Sequence, residues 1–211
     1  MPTRTNKARS HQKYDFVLFI FKEGDVKLNI VYRKANLDDA YGIAYVSAYS
    51  WKETYTGLLP DDYLANRISN IDKSLDSTKK FIEEHPNYFV AALNNKIVGI
   101  CNYDINNNDT YKDYGHIGAL YVLKEYQNVG IGKELFKIAV EGLIELGYDK
   151  MYLECMVGND SINFYTKYLG EIDKTIDFLI NNVGNVKADI VIFEDLNEVY
   201  KKLLSKGRVK E

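Results

Sequence analysis

The sequence predicts a mixed α/β domain of the α+β kind. Short runs rich in β-branched and aromatic residues occur in pairs joined by Asn- or Gly-containing turns. One long amphipathic stretch stands between two further runs of this kind, and the first third of the chain has helical spacing with recognisable start signals. A chain of 211 residues suits one domain with some appended material, able to bury a core without disulfide or metal staples.

Residues 1–28 read as an N-terminal extension, either disordered or supplying one extra strand over 14–21, which a turn at 22–25 would join to an extended run over 26–33. A single domain covers 29–205. Residues 30–33 predict a strand. Asn36 caps a helix that has Asp38 and Asp39 in its first turn. Ala40, Ile43, Ala44, Trp51 and Tyr55 share one face of that helix, and residues 57–62 end it. Pro60 at a first helical position opens a second helix, and a third spans 74–84 and stops before Pro86. Strands over Tyr88–Leu93 and 96–103 flank Asn94-Asn95, a hairpin turn. Residues 105–113 form a polar loop, and Gly115–Val122 forms a strand. A helix over 130–147 puts Ile131, Leu135, Ala139 and Leu143 on one face. A strand at 150–156, a short helix at 161–168, a hairpin of 171–181 with 186–193 and a terminal helix over Leu196–Leu204 complete the order.

Composition excludes several functions. A net charge of −3 gives no field that would hold nucleic acid or an anionic membrane. The apolar run 16–21 is too short for a membrane span or signal core. Cys101 and Cys155 read as buried free thiols of a cytoplasmic protein, because they have neither metal-site nor CxxC spacing. The scattered His11, His85 and His116 form no zinc pattern, so no metal is expected.

The informative segment is Gln127-Asn128-Val129-Gly130-Ile131-Gly132-Lys133, where a strand gives way to the long helix. The first amides of a helix have no intrahelical acceptor and sit at its positive end, so they bind anions. Glycines at 130 and 132 leave room for a diphosphate to approach. A P-loop is excluded because Glu134 follows Gly132-Lys133 where a hydroxyl residue is needed. A dinucleotide fingerprint is excluded because Leu135 occupies the place of its third glycine.

The arrangement Gln127-x-x-Gly130-x-Gly132 resembles the acyl-CoA signature of the GCN5-related N-acetyltransferase (GNAT) superfamily. The strand His116–Val122, the stretch Asn159-Asp160-Ser161-Ile162-Asn163-Phe164-Tyr165, and Trp51–Tyr55 with Leu59-Pro60 are similar to further elements of that family. The likeness covers roughly residues 29–195. It implies the GNAT fold: a central mixed, mostly antiparallel sheet with a splayed strand pair and flanking helices.

It also implies acetyl-CoA as co-substrate. Backbone groups of Leu120, Tyr121 and Val122 would pair with the pantetheine arm. Gln127, Asn128, Val129, Gly130, Ile131, Gly132 and Lys133 would hold the pyrophosphate, and Asn159 would touch the pantetheine. Many members place an Ala three positions after that Asn, whereas Ser161 comes only two after Asn159. Tyr165 matches the tyrosine that protonates the departing thiolate. His116, eleven residues before Gln127, stands where members with a side-chain base often carry Glu, and an imidazole suits removal of the substrate's proton. Trp51 and Tyr55 would line the acceptor pocket. Glu53, Asp61 and Asp62 would either attract a cationic amine or be simply solvated.

The expected activity is acetyl transfer to a primary amine of a small molecule or peptide. Transfer of a longer acyl group and a non-catalytic acyl-CoA-binding regulatory module are the alternatives. No nucleic acid or membrane partner is expected, and the last hairpin is a candidate homodimer surface.

Overall fold

The computed structural model describes residues 16–22, 26–104 and 109–205, with side chains from residue 29 onward. The expected mobile stretch 1–13, residues 105–108 of the polar loop and the turn at 23–25 lie outside the described residues. Eight strands form one sheet: β1 (Phe16–Lys22), β2 (Val26–Lys34), β3 (Tyr88–Leu93), β4 (Lys96–Asp104), β5 (Gly115–Val122), β6 (Met151–Met156), β7 (Glu171–Ile180) and β8 (Gly184–Phe193). Their spatial order is β1-β2-β3-β4-β5-β6-β8-β7. Every neighbouring pair is antiparallel except β5 with β6. The sheet is therefore mixed and mostly antiparallel, with helices on both faces.

The local sequence accounts for the hairpins. Asn94 and Asn95 both have positive φ, 48° and 66°, as a two-residue type I′ turn requires. In the last hairpin Asn182 and Gly184 have φ of 67° and 107°. Residues 16–22 pair along their length with β2, from Phe16 opposite Tyr32 to Lys22 opposite Val26. β2 spans the 26–33 run and one residue more, and it is paired on both edges.

Among the described residues six α-helices cover the sheet: α1 (Ala40–Tyr55), α2 (Asp61–Ser69), α3 (Leu75–Glu84), α4 (Ile131–Glu145), α5 (Ile162–Lys167) and α6 (Leu196–Leu204). Asn36 caps a 3-10 turn that leads into α1, and its side chain accepts from Asp38 N while Asp39 accepts from Asn36 N. Pro60 lies at the N-cap of α2, one position earlier than expected. Its ψ of 133° is extended, and helical dihedrals begin at Asp61.

Strand alternation sorts the two cores. Phe89 and Ala91 of β3 face the cluster built on α4, while Val90 and Ala92 face the one built on α1. On the α4 face, fully buried Phe136 meets Phe164, Tyr165 and Phe193 at ring centroid distances of 5.4, 6.0 and 5.7 Å. This aromatic group anchors α5 to α4 and fixes where Tyr165 stands. Emptying it with Phe136→Ala costs about 3–5 kcal/mol, as is usual for a buried phenylalanine.

Candidate active site

β5 and β6 pair only at Gly115 with Met151 and His116 with Tyr152. Beyond that point they diverge, because β5 stays on β4 while β6 follows β8. The divergence leaves a narrow gap lined on β5 by Ile117–Val122, on β6 by Leu153, Glu154 and Cys155, and closed by Ser50, Tyr55 and Tyr165. A larger cleft of about 580 Å3 continues from it over the start of α4, lined by Gln127, Asn128, Gly130, Gly132, Lys133 and Lys167 among others. The two share Leu120, Val122, Gln127, Ser161 and Tyr165, so they form one continuous channel.

The turn at the channel's wide end has a structural reason for each residue. Gln127 donates from Nε2 to the carbonyl of Val122 at 2.9 Å and so ties the turn to the end of β5. Asn128 and Gly130 take positive φ of 61° and 94°. Gly130 is the N-cap of α4, and only glycine adopts that geometry without strain. The first helical bond runs from Glu134 N to Gly130 O at 3.0 Å, which leaves the amides of residues 131–133 open to a ligand. A Cβ on Gly132 would meet only Val122 Cγ2, at 3.7 Å, so the channel side of this residue is open. Ile131 and Val129 turn their side chains into the core and offer backbone alone.

Tyr165 is 8% exposed and lines both parts of the channel. Burial, followed by the neighbouring Cys155, Tyr121 and Cys101, pushes its hydroxyl far above the ordinary range, so it remains a protonated donor. Both cysteines are buried and free. Cys155 faces the gap, but burial pushes its thiol up to about 11, leaving little thiolate for nucleophilic attack. Asn159 lines the gap, and its Oδ1 accepts from Ser161 N at 2.9 Å, so it shapes the loop before α5.

His116 stands at the last position of β5 that pairs with β6. Its ring stacks on Tyr152 at 4.7 Å, and Nε2 lies 2.8 Å from Glu154 Oε2. Glu154 lines the gap whereas His116 does not, so the pair presents its carboxylate to the channel. A further cleft of about 610 Å3 lies between α1, α2, α3 and the sheet. It meets the gap at Gly118, Ala119 and Tyr121, and Trp51 lines it. Tyr55, in contrast, faces the gap. Glu53, Asp61 and Asp62 are exposed and outside this cleft; Glu53 accepts from Lys124 N and Asp62 from Tyr63 N.

The sequence reading missed Glu154, Ser50, Lys167 and Arg67. Glu154 is 38 positions from His116, and no local pattern links them. Ser50 is 2% exposed with an unpartnered Oγ, which the helical spacing of α1 alone does not reveal. Among the described residues no His/Cys/Asp/Glu group fit for a metal ion occurs, and no helix is long and apolar enough to cross a membrane.

Comparison with known proteins agrees with this architecture. The chain is 30% identical over 145 residues to the uncharacterized N-acetyltransferase YuaI of Bacillus subtilis (strain 168), covering 67% of this chain and 80% of that protein. The fold is similar to PaiA N-acetyltransferase from Thermoplasma acidophilum in complex with coenzyme A, with a TM-score of 0.55 and 21% identity over 75% of this chain and 97% of that one. It is also similar to a GCN5-related N-acetyltransferase from Rhodopseudomonas palustris, with a TM-score of 0.62 and 15% identity over 76% of this chain and 92% of that one. The profile described as the acetyltransferase (GNAT) family matches residues 45–170, and the chain belongs to that family.

Proposed function

We propose that the protein transfers an acetyl group from acetyl-CoA to a primary amine by direct attack. The observation that carries this reading is the gap between β5 and β6, which runs from the open amides of residues 131–133 to the buried, protonated Tyr165. The amides at the start of α4, with Lys133 and Lys167 beside them, suit a pyrophosphate. The unpaired inner edges of β5 and β6 suit the amides of a pantetheine arm, which would lie there as a strand does. The coenzyme A bound by PaiA supports the same donor class.

The chemistry follows from the side chains at the narrow end. The neutral amine attacks the thioester carbonyl; the new C–N bond forms and the C–S bond breaks. Tyr165 gives its proton to the departing thiolate, and the His116–Glu154 pair takes the proton released by the amine. The largely protonated Cys155 thiol argues against a covalent acyl-cysteine and for one-step transfer.

The test is to incubate the full chain with acetyl-CoA and a broad panel of amines while following free thiol release. Turnover of at least one amine is expected. Saturable acetyl-CoA binding with no turnover on any amine would support the regulatory-module alternative, and absence of CoA binding would overturn the reading of the channel. Equal or faster turnover of longer acyl-CoA donors would replace acetyl by a longer group.

A further inference from the structure

The cleft under α1 to α3 is electrostatically lopsided. Its lining is apolar or neutral-polar, from Ile43 and Trp51 through Asn70, Thr78 and Asn102, with Arg67 as the one charged residue among the described residues that line it. The guanidinium lies 4.0 Å over the ring of Trp51. Of its five N–H donors, two are used: Nη2 donates to Ser47 Oγ at 3.1 Å and Nη1 to Tyr63 Oη at 3.5 Å. Nε is closed off from water and has no acceptor. No carboxylate pairs with Arg67 among the described residues.

Arg33 shows what this chain does with an arginine of purely structural role. Its guanidinium is gripped by Asp39 through two bonds of 2.6 and 2.7 Å. A half-enclosed cation with free donors and no counter-charge is costly unless a ligand supplies the anion. Arg67 sits on the wall of the same cleft that opens onto the donor gap at Gly118–Tyr121, and its field reaches the Tyr121 hydroxyl there.

We infer that the acceptor is a primary amine that also carries a carboxylate, an amino-acid-like molecule, with the carboxylate held by Arg67 and the amine directed to β5 at Gly118–Tyr121. This rests on the transferase reading above for the fate of the amine, but the binding preference stands apart from it. A polyamine or other purely cationic amine is the wrong partner, because the cleft offers it a guanidinium and no described carboxylate.

The experiment measures equilibrium binding to the CoA-loaded full chain, with thiol release from acetyl-CoA followed in parallel. The probes are amino acids matched with their decarboxylated amines, such as phenylalanine with phenethylamine and lysine with cadaverine, together with spermidine. At least one amino acid is expected to bind about tenfold or more tightly than its decarboxylated partner, the usual scale of a charge-assisted hydrogen-bond pair. Arg67→Met should abolish that ratio and Arg67→Lys should keep part of it, both leaving CoA affinity unchanged. The ratio is a readout that loss of packing on Trp51 alone does not move.

Tighter binding of the decarboxylated amines or of spermidine, a ratio that survives Arg67→Met, or no binding of any amino acid would overturn the inference. Binding with the expected preference but without thiol release would uphold it and overturn the transferase reading. Thiol release confined to the decarboxylated amines would do the reverse.

Discussion

The channel between β5 and β6 and the cleft under α1 to α3 meet on one strand but are built differently. The channel is mostly backbone: the parted edges of β5 and β6, and the amides at the start of α4 held open by Gly130 and Gly132. The cleft is mostly side chains arriving from separate helices: Trp51 from α1, Arg67 from α2, Thr78 and Phe81 from α3. A backbone site tolerates change in the side chains around it. A side-chain site can be rewritten by a few substitutions.

That contrast can be broken most sharply where the two regions meet. Tyr165→Phe keeps the ring among Phe136 and Phe164 and removes only the proton donor. The rate is expected to fall by about 10²- to 10⁴-fold, the range of general acid catalysis, with CoA affinity unchanged. Steady-state thiol release beside a CoA titration checks this, and an undiminished rate would remove Tyr165 from the chemistry. Glu154→Gln and His116→Ala come next. Each should slow turnover by about 100-fold, the lower end of that range. If His116→Ala leaves the rate untouched while Glu154→Gln does not, the carboxylate alone is the base.

Two glycine substitutions separate geometry from space within the donor turn. Gly130→Ala meets no neighbouring atom but must hold a φ of 94°, which costs about 1–2 kcal/mol in an alanine. Thermal stability and CoA affinity should both drop. Gly132→Ala has no such strain and gains about 1 kcal/mol of helix propensity. It should raise the melting temperature while weakening CoA binding, because its methyl group enters the channel. Affinity that follows stability in both variants would argue against the anion grip.

The smallest effect concerns Cys155. With its pKa pushed up to about 11, the thiol is almost wholly protonated at pH 7.5, and thiolate rises tenfold per pH unit below that value. Alkylation by iodoacetamide should be slow at pH 7.5, accelerate as pH rises and be slowed further by saturating CoA. Fast alkylation at neutral pH, indifferent to CoA, would move Cys155 out of the channel.

The same contrast explains what the sequence disclosed. The donor turn was legible because positive φ at residue 130 and an open approach at 132 can each be met by glycine, and glycine is visible in a sequence. The strand Gly115–Val122, the helix Leu196–Leu204 and the Asn94-Asn95 turn were legible because period and turn chemistry are local properties. Residues 14–21 left two readings open, since a short apolar run does not declare whether a partner strand awaits it.

The cleft was opaque for a physical reason. Nothing near Arg67 in sequence says that it lies over Trp51, and nothing near Glu154 says that it meets His116, because tertiary packing makes those contacts. Helical spacing put Trp51 and Tyr55 together, yet it did not show that Tyr55 turns to the donor gap and Trp51 to the cleft.

The central claim is that the start of α4 and the inner edge of β5 hold the donor through their backbone amides. Hydrogen exchange of the full chain with and without acetyl-CoA tests it most directly. Slower exchange is predicted at the amides of residues 130–133 and within residues 118–122, with α1 to α3 unchanged. Saturating acetyl-CoA that leaves those amides exchanging at the free rate, or protects α1 to α3 in their place, would contradict the account.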